Sequence, residues 1–224
     1  MMNKNIVKVT LFTLIIFNQL NIYCQNSAGE RNHEFVGSVN YNFPLGKLSW
    51  VYKPTVGIQF GFNWIDRDPS ENKIIKTGFT IGALQFKPKA DTLYYLVTPT
   101  TYGTASFSKY QLVYATFHIE KIKIFNKTGF LIGADAGLVF VHYTDGHIDA
   151  NIDYYEESME GKLMLSPQFG IYIEFTPKIN ATLVTQYNAL ISLGDTDPNS
   201  VNYNSNAGIY RQFVSENIRV AYTF

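Results

Sequence analysis

Apolar and polar residues alternate along most of this chain with a period of two, the spacing that puts successive side chains on opposite faces of a β-strand. In 130–140 the even positions are Phe130, Ile132, Ala134, Ala136, Leu138 and Phe140, all apolar, while Gly133, Asp135 and Gly137 fall between them. At this composition six such positions in a row arise by chance roughly once in a hundred trials. The odd face of 163–175 reads Leu163, Leu165, Pro167, Phe169, Ile171, Ile173 and Phe175, against Met164, Ser166, Gln168, Gly170, Tyr172 and Glu174. In 56–64 the apolar set is Val56, Ile58, Phe60, Phe62 and Trp64. At the end of the chain it is Ile218, Val220, Tyr222 and Phe224, with Asn217, Arg219, Ala221 and Thr223 between.

The pattern predicts strands at 34–43, 50–65, 74–86, 106–124, 128–143, 162–176, 179–192 and 208–224. Short turns at Asn126-Lys127 and Pro177-Lys178 alternate with long polar segments at 87–105, 144–161 and 193–207. That asymmetry is expected of an antiparallel up-and-down transmembrane β-barrel, all-β, with about eight strands. Ten is the alternative count if 92–98 (TLYYLVT) joins the wall. Pro54 and Pro167 fall inside predicted strands, where each removes a ladder hydrogen bond, so a rim or bulge position is expected for both. The apolar face of 106–124 changes parity, from Tyr110, Leu112 and Tyr114 to Phe117 and Ile119, which predicts a bulge.

The chain opens with Lys4 and Lys8 ahead of a nine-residue stretch, Val9–Phe17, apolar but for two Thr. This is far short of the roughly 20 residues a spanning helix needs, so 1–24 is expected to be a secretory signal peptide. Cys24, the only cysteine, follows Tyr23 and Asn21 rather than the small and aliphatic residues of a lipidation site. Without it the mature chain has no thiol and no disulfide. The expected organisation is then 1–24 signal peptide, 25–33 a short N-terminal segment and 34–224 the barrel. Without Lys4 and Lys8, 16 basic residues stand against 18 acidic ones, a balance that argues against a nucleic-acid partner. The 16% aromatic content favours strands.

The terminal IRVAYTF, ending on Phe224, resembles the C-terminal insertion signal of bacterial outer-membrane β-barrels. The signal peptide, with Gln25 following Cys24, is similar to those of many Bacteroidota proteins. The resemblance implies an outer-membrane location, lipid on the outside of the wall and the barrel-assembly machinery as a partner during insertion. Ile218, Val220, Tyr222 and Phe224 would be the insertion signal, and the closing strand would pair near 35–43. Working back from a periplasmic C-terminus places the three long segments outside the cell and the charged 66–73 (DRDPSENK) in the periplasm.

Alternation alone also fits a soluble lipocalin-like barrel, with the apolar face turned inward. The polar face, rich in Gly, Ser, Thr, Asn and Gln, and the aromatics Trp64, Tyr143, Tyr210 and Tyr222 near strand ends favour the membrane. Side chains nearly fill an eight-stranded interior. The inward polar network is expected to comprise Lys76, Asp135, Lys162, Glu174, Arg211 and Arg219, with Gln168, Gln186 and Asn188 beside them. Opposite charges there would pair across the lumen and hold it shut; a narrow channel for small solutes is the alternative.

The segment 144–161 holds six acids and no Lys or Arg, with Asp145, Asp149 and Asp153 every four residues. It lacks the calcium-loop pattern, so a solvated surface loop is expected and no metal or other cofactor. A rim hydrolase or acyltransferase would need a base beside a nucleophile or water, and His142, Asp145 and Ser158 are the candidates. No nucleophile elbow accompanies them, His118 lies in a strand, and His33 falls in the N-terminal segment. No catalytic residue is assigned. The expectation is a non-enzymatic outer-membrane barrel that displays loops at the surface or serves as a subunit of an envelope assembly.

Overall fold

The computed structural model describes residues 31–90, 92–98, 101–149, 152–192 and 208–224. The expected signal peptide lies outside the described residues. Ten strands form one antiparallel sheet: β1 (Arg31–Leu45), β2 (Thr55–Asp68), β3 (Lys73–Phe86), β4 (Thr92–Thr98), β5 (Thr101–Phe107), β6 (Tyr110–Phe125), β7 (Thr128–Asp149), β8 (Ile152–Thr176), β9 (Ile179–Ser192) and β10 (Gly208–Thr223). Eight of them close a ring in the order β1-β2-β3-β6-β7-β8-β9-β10, with β10 returning to β1. Closure removes every strand edge from the wall, so its backbone polar groups can pair between strands where lipid offers no partner.

The segment 92–98 is a strand, but it does not join the ring. β4 and β5 form a hairpin, and β5 pairs with β7 at Thr104↔Ile148 to Phe107↔Asp145, beyond the point where β6 has ended. The ladder between β7 and β8 continues from Thr128↔Ile173 to Asp149↔Ile152, past Lys162, where the described part of β9 meets β8 at Ser192. The segment 144–161, expected to be a loop, is therefore mostly strand, and with β4 and β5 it forms a sheet that projects past the barrel. Arg31, Phe224 and the turns at 69–72, 126–127 and 177–178 lie at the opposite end, called here the terminal end.

Further expectations are corrected. β2 starts at Thr55, not at 50, because Gly46, at φ 53°, turns the chain out of β1 into a short helix, α1 (Gly46–Val51). Pro54 thus precedes the strand. Pro167 lies within β8 without a bulge: the β7 ladder runs through it, and the β8–β9 ladder skips Ser166 and Pro167 without changing register. The cost of the missing N–H falls on one side of the strand only.

β6 shows no bulge either. It pairs without interruption to both neighbours, and its even positions face inward throughout. The apparent parity change is a change in what the interior accepts: Tyr110, Leu112 and Tyr114 fill it near the loop end, and Thr116, His118 and Glu120 fill it lower down. The N-terminal boundary also moves, since residues 31–33 belong to β1 and His33 exchanges backbone hydrogen bonds with Phe224.

Candidate functional site

The distribution of polarity across the wall decides what it faces. Glu34, Asn42 and Asn217 inside are 0% exposed, while Phe130 is 67% and Phe169 64% exposed outside. Each strand of the ring contributes to this reversal by simple alternation among its described residues, and a soluble barrel would have the opposite arrangement. An outer face of Phe35, Val39, Ile58, Phe60, Ile81, Ile132, Leu138, Ile171, Leu183 and Ile218 is stable only against hydrocarbon. This is the wall of an outer-membrane β-barrel. The soluble lipocalin-like alternative is excluded by the same distribution.

Ile218, Val220, Tyr222 and Phe224 all lie on this outer face. Phe224 extends β10 by pairing its backbone with His33, and its ring stacks on Phe35 at 5.2 Å between centroids. Two departures from an apolar exterior stand out. Lys121 and Lys123 lie outward near the terminal end, where long stems let an ammonium reach the interface. Glu216 lies outward between Val214 and Ile218, and accepts hydrogen bonds from the Thr185 hydroxyl at 3.1 and 2.9 Å.

The lumen is filled in layers. At the terminal end Arg67 pairs with Glu174 at 3.2 Å, and the Tyr172 hydroxyl donates to the same carboxylate at 3.1 Å. Behind them Ile65, Ile74, Ile122, Leu131, Tyr172 and Val184 form an apolar belt. Beside the belt, Glu34 accepts from Lys76 at 2.7 Å, Asn63 at 2.6 Å and Asn180 at 3.1 Å.

The next layer is centred on Arg219, whose guanidinium pairs with Glu120 and donates to Gln168. Gln168 donates in turn to Glu120 at 3.1 Å and to Asp135 at 2.8 Å, and Gln186 donates to the other oxygen of Asp135 at 2.8 Å. A chain of smaller groups crosses above it, with Ser166 donating to Asn188, Asn188 to Ser215, Ser215 to Asn42 and Asn42 to Asn40. These bonds satisfy buried polar atoms that would otherwise cost about 1–3 kcal/mol each.

Towards the loop end the interior turns apolar again. Leu48 and Tyr52, at and just after α1, close over Leu84, Phe86, Tyr110, Leu112, Tyr114, Val139, Val141, Met164, Leu190 and Phe213. Arg211 is held between the rings of Tyr110 and Tyr143, at 4.5 and 4.6 Å from their centroids. Tyr143 also donates to Glu160 at 2.8 Å, and Glu160 pairs with Lys162. Gly82 makes room for this layer: a Cβ there would meet the Tyr114 ring at 2.4 Å.

All six residues of the expected network, Lys76, Asp135, Lys162, Glu174, Arg211 and Arg219, are thus inside the barrel, but they do not form one cluster. Lys76 and Arg219 meet Glu34 and Glu120, and Glu174 meets Arg67, three partners the sequence reasoning omitted. Strict alternation, carried without a break along β1, β2 and β6, places all three inward and was the signal available.

Of the enzyme candidates, His142 lies on the outer face of β7, and the side chains of Asp145 and Ser158 are outside the described part of the structure. His118 is buried in the lumen, 3.3 Å from the Thr80 hydroxyl. Among the described residues no group of three or more His, Cys, Asp or Glu is arranged to hold a metal.

No family model and no curated protein matches this chain. Solved structures with a similar fold include Neisserial surface protein A, at 11% identity and a TM-score of 0.48, covering 86% of this chain and 97% of that one. Ail, the attachment invasion locus protein of Yersinia pestis, aligns at 10% identity and a TM-score of 0.41, covering 88% of this chain and 99% of its own. The N-terminal β-barrel domain of Pseudomonas aeruginosa OprF aligns at 9% identity and a TM-score of 0.38, covering 87% of this chain and 100% of that domain.

Proposed function

We propose that this protein is a closed, non-enzymatic outer-membrane barrel that carries a projecting β-sheet at the cell surface. The observation that carries the reading is the contrast between a lumen closed by an aromatic layer and a β7–β8 ladder that runs on past the start of β6. A lumen closed by packed side chains supports a scaffold, and a strand-paired extension on one side supports contact with something outside. The loop end faces outward in this reading, as the short turns at the terminal end support.

Ile218, Val220, Tyr222 and Phe224 serve as the insertion signal for the assembly machinery, and their lipid-facing positions at the seam with β1 support that role. Envelope proteins that dock on the projecting sheet are the partners this reading favours. Conductance in planar bilayers tests the closed lumen: a silent membrane is expected, and steady, ion-selective steps would replace the scaffold with the narrow channel. Deleting Phe224 tests the signal; outer-membrane levels should fall, and normal levels would refute it.

A further inference from the structure

Two successive outward positions of β6 carry lysine, and the apolar wall continues on both sides of them. Towards the terminal end the outward side chains run Ile119, Lys121, Lys123 and Phe125. Phe130, opposite Lys123 on β7, is 67% exposed, and its ring meets Phe125 edge-on at 6.0 Å between centroids. The lysines therefore do not stand beyond the hydrophobic surface, out in water. They stand inside its margin, where lipid headgroups meet acyl chains.

The ladders fix what surrounds them. Lys121 lies between Ile75 of β3 and Ile132 of β7, and Lys123 between Lys73 and Phe130. Every one of these positions is described, and none of them is acidic. Like charges directly opposite one another destabilise a strand pair, so Lys73 and Lys123 call for an anion between them. The protein supplies only part of one. Glu71, in the adjoining turn, pairs its carboxylate with Lys73 at 3.4 Å and offers Lys123 only its main-chain carbonyl. Asp68 lies opposite Lys73 on the side away from β6. Asp66 is two strands from Lys121, roughly 10 Å at the usual strand spacing. Among the described residues, neither Lys121 nor Lys123 has a carboxylate within ion-pair distance.

An occupant that suits this place carries negative charge at one end and hydrocarbon at the other. A free anion would leave Ile119, Phe130 and Ile132 uncovered, and a zwitterionic lipid brings a cation of its own to the lysines. We infer that Lys121 and Lys123 seat the phosphate of an anionic phospholipid, in the leaflet at the terminal end, with its acyl chains over Ile119 and Ile132. The ammonium groups supply selection and the apolar wall supplies attachment. This seat depends on the lipid-facing wall alone, whatever the projecting sheet contacts.

Bromine on lipid chains quenches tryptophan at short range, so a single reporter reads which lipid covers it. The chain has two tryptophans, and W50F/W64F with Ile119→Trp leaves one reporter, next to Lys121 on the same face. A control protein carries Val220→Trp instead, an outward position of β10 whose neighbours on that face, Gly37, Ala181, Ile218 and Tyr222, are uncharged. Each is folded into vesicles that mix phosphatidylcholine with phosphatidylglycerol, one of the two brominated, in about 0.15 M salt. Phosphatidylglycerol should be preferred about threefold or more at the Ile119→Trp reporter, and the two lipids should compete about equally at the Val220→Trp reporter.

Adding K121Q/K123Q should abolish the preference. No preference at the Ile119→Trp reporter would overturn the proposal. So would an equal preference at both reporters, which is attraction to the whole barrel, and so would a preference that survives K121Q/K123Q. The gel shift between unheated and boiled samples checks that each variant is folded. Should the reporter exchange prevent folding, W50F alone reads the same preference from Trp64, which is in register with Ile119 across β3.

Discussion

Near the loop end the lumen is closed by rings and branched aliphatic groups around Tyr110, Phe86 and Phe213, whereas lower down the same eight strands close it with Glu34–Lys76 and Glu120–Arg219. The first closure depends on filled volume and accepts any arrangement of apolar atoms that fills it. The second depends on partners, since a buried charge is tolerable only while its counter-charge and hydrogen bonds remain. The two layers should therefore respond to substitution in opposite ways.

The largest effect is expected in the ion-pair layer. Glu34→Ala leaves Lys76 buried without its carboxylate and should cost about 3–5 kcal/mol in urea unfolding from lipid vesicles, whereas E34L/K76M should recover most of the loss. A double variant as unstable as the single one would show that volume rather than pairing matters there. Next in size is a charge moved across the wall: Phe169→Arg, one position from the lumenal Gln168, should cost about 2–4 kcal/mol by the same measurement.

In the aromatic layer, Phe213→Leu keeps most of the volume and should cost less than about 1.5 kcal/mol. Arg211→Met in the same layer removes a cation held by two rings, a loss of about 1–2 kcal/mol, and a larger value would move Arg211 into the charged class.

The smallest effect lies outside both layers, at the exposed 69–72 turn. The Ser70 hydroxyl, donating at 2.6 Å, is the main group holding the Asp68 carboxyl below its ordinary pKa, helped by the Ser70 and Glu71 amides and by Lys73. A lowered folded pKa contributes stability above the ordinary carboxylate value and loses it as pH falls through the lowered one. Ser70→Ala should therefore lower stability slightly at about pH 7, and progressively less as pH falls through the lowered carboxylate value. A change that does not vary with pH would assign the effect to the hydroxyl's own contacts.

Much of the wall was legible along the chain because alternation is a local property. The outward placement of Phe130 to Phe140 and of Ile218 to Phe224 follows from parity alone, as does the inward placement of Asp135 and Arg219. The bulge expected in β6 shows where parity misleads. Polarity reads as a statement about faces, but Tyr110, Leu112 and Tyr114 are apolar and face inward, since the lumen itself changes from apolar to polar along its axis. The acidic segment 144–161 misled in another way. Its composition is that of a solvated loop, and only pairing with a partner strand shows it to be extended.

By itself, then, the sequence determined the architecture class, the two faces of each strand and the residues able to meet hydrocarbon, because these depend on spacing within one strand. The tertiary structure alone decided which charges meet, that TLYYLVT stands outside the ring, and that the β7–β8 ladder runs on through 144–161. Pairing and register join residues far apart in the chain, as Glu34 and Asn180 are, and no local pattern records which strands will be neighbours or where one of them stops.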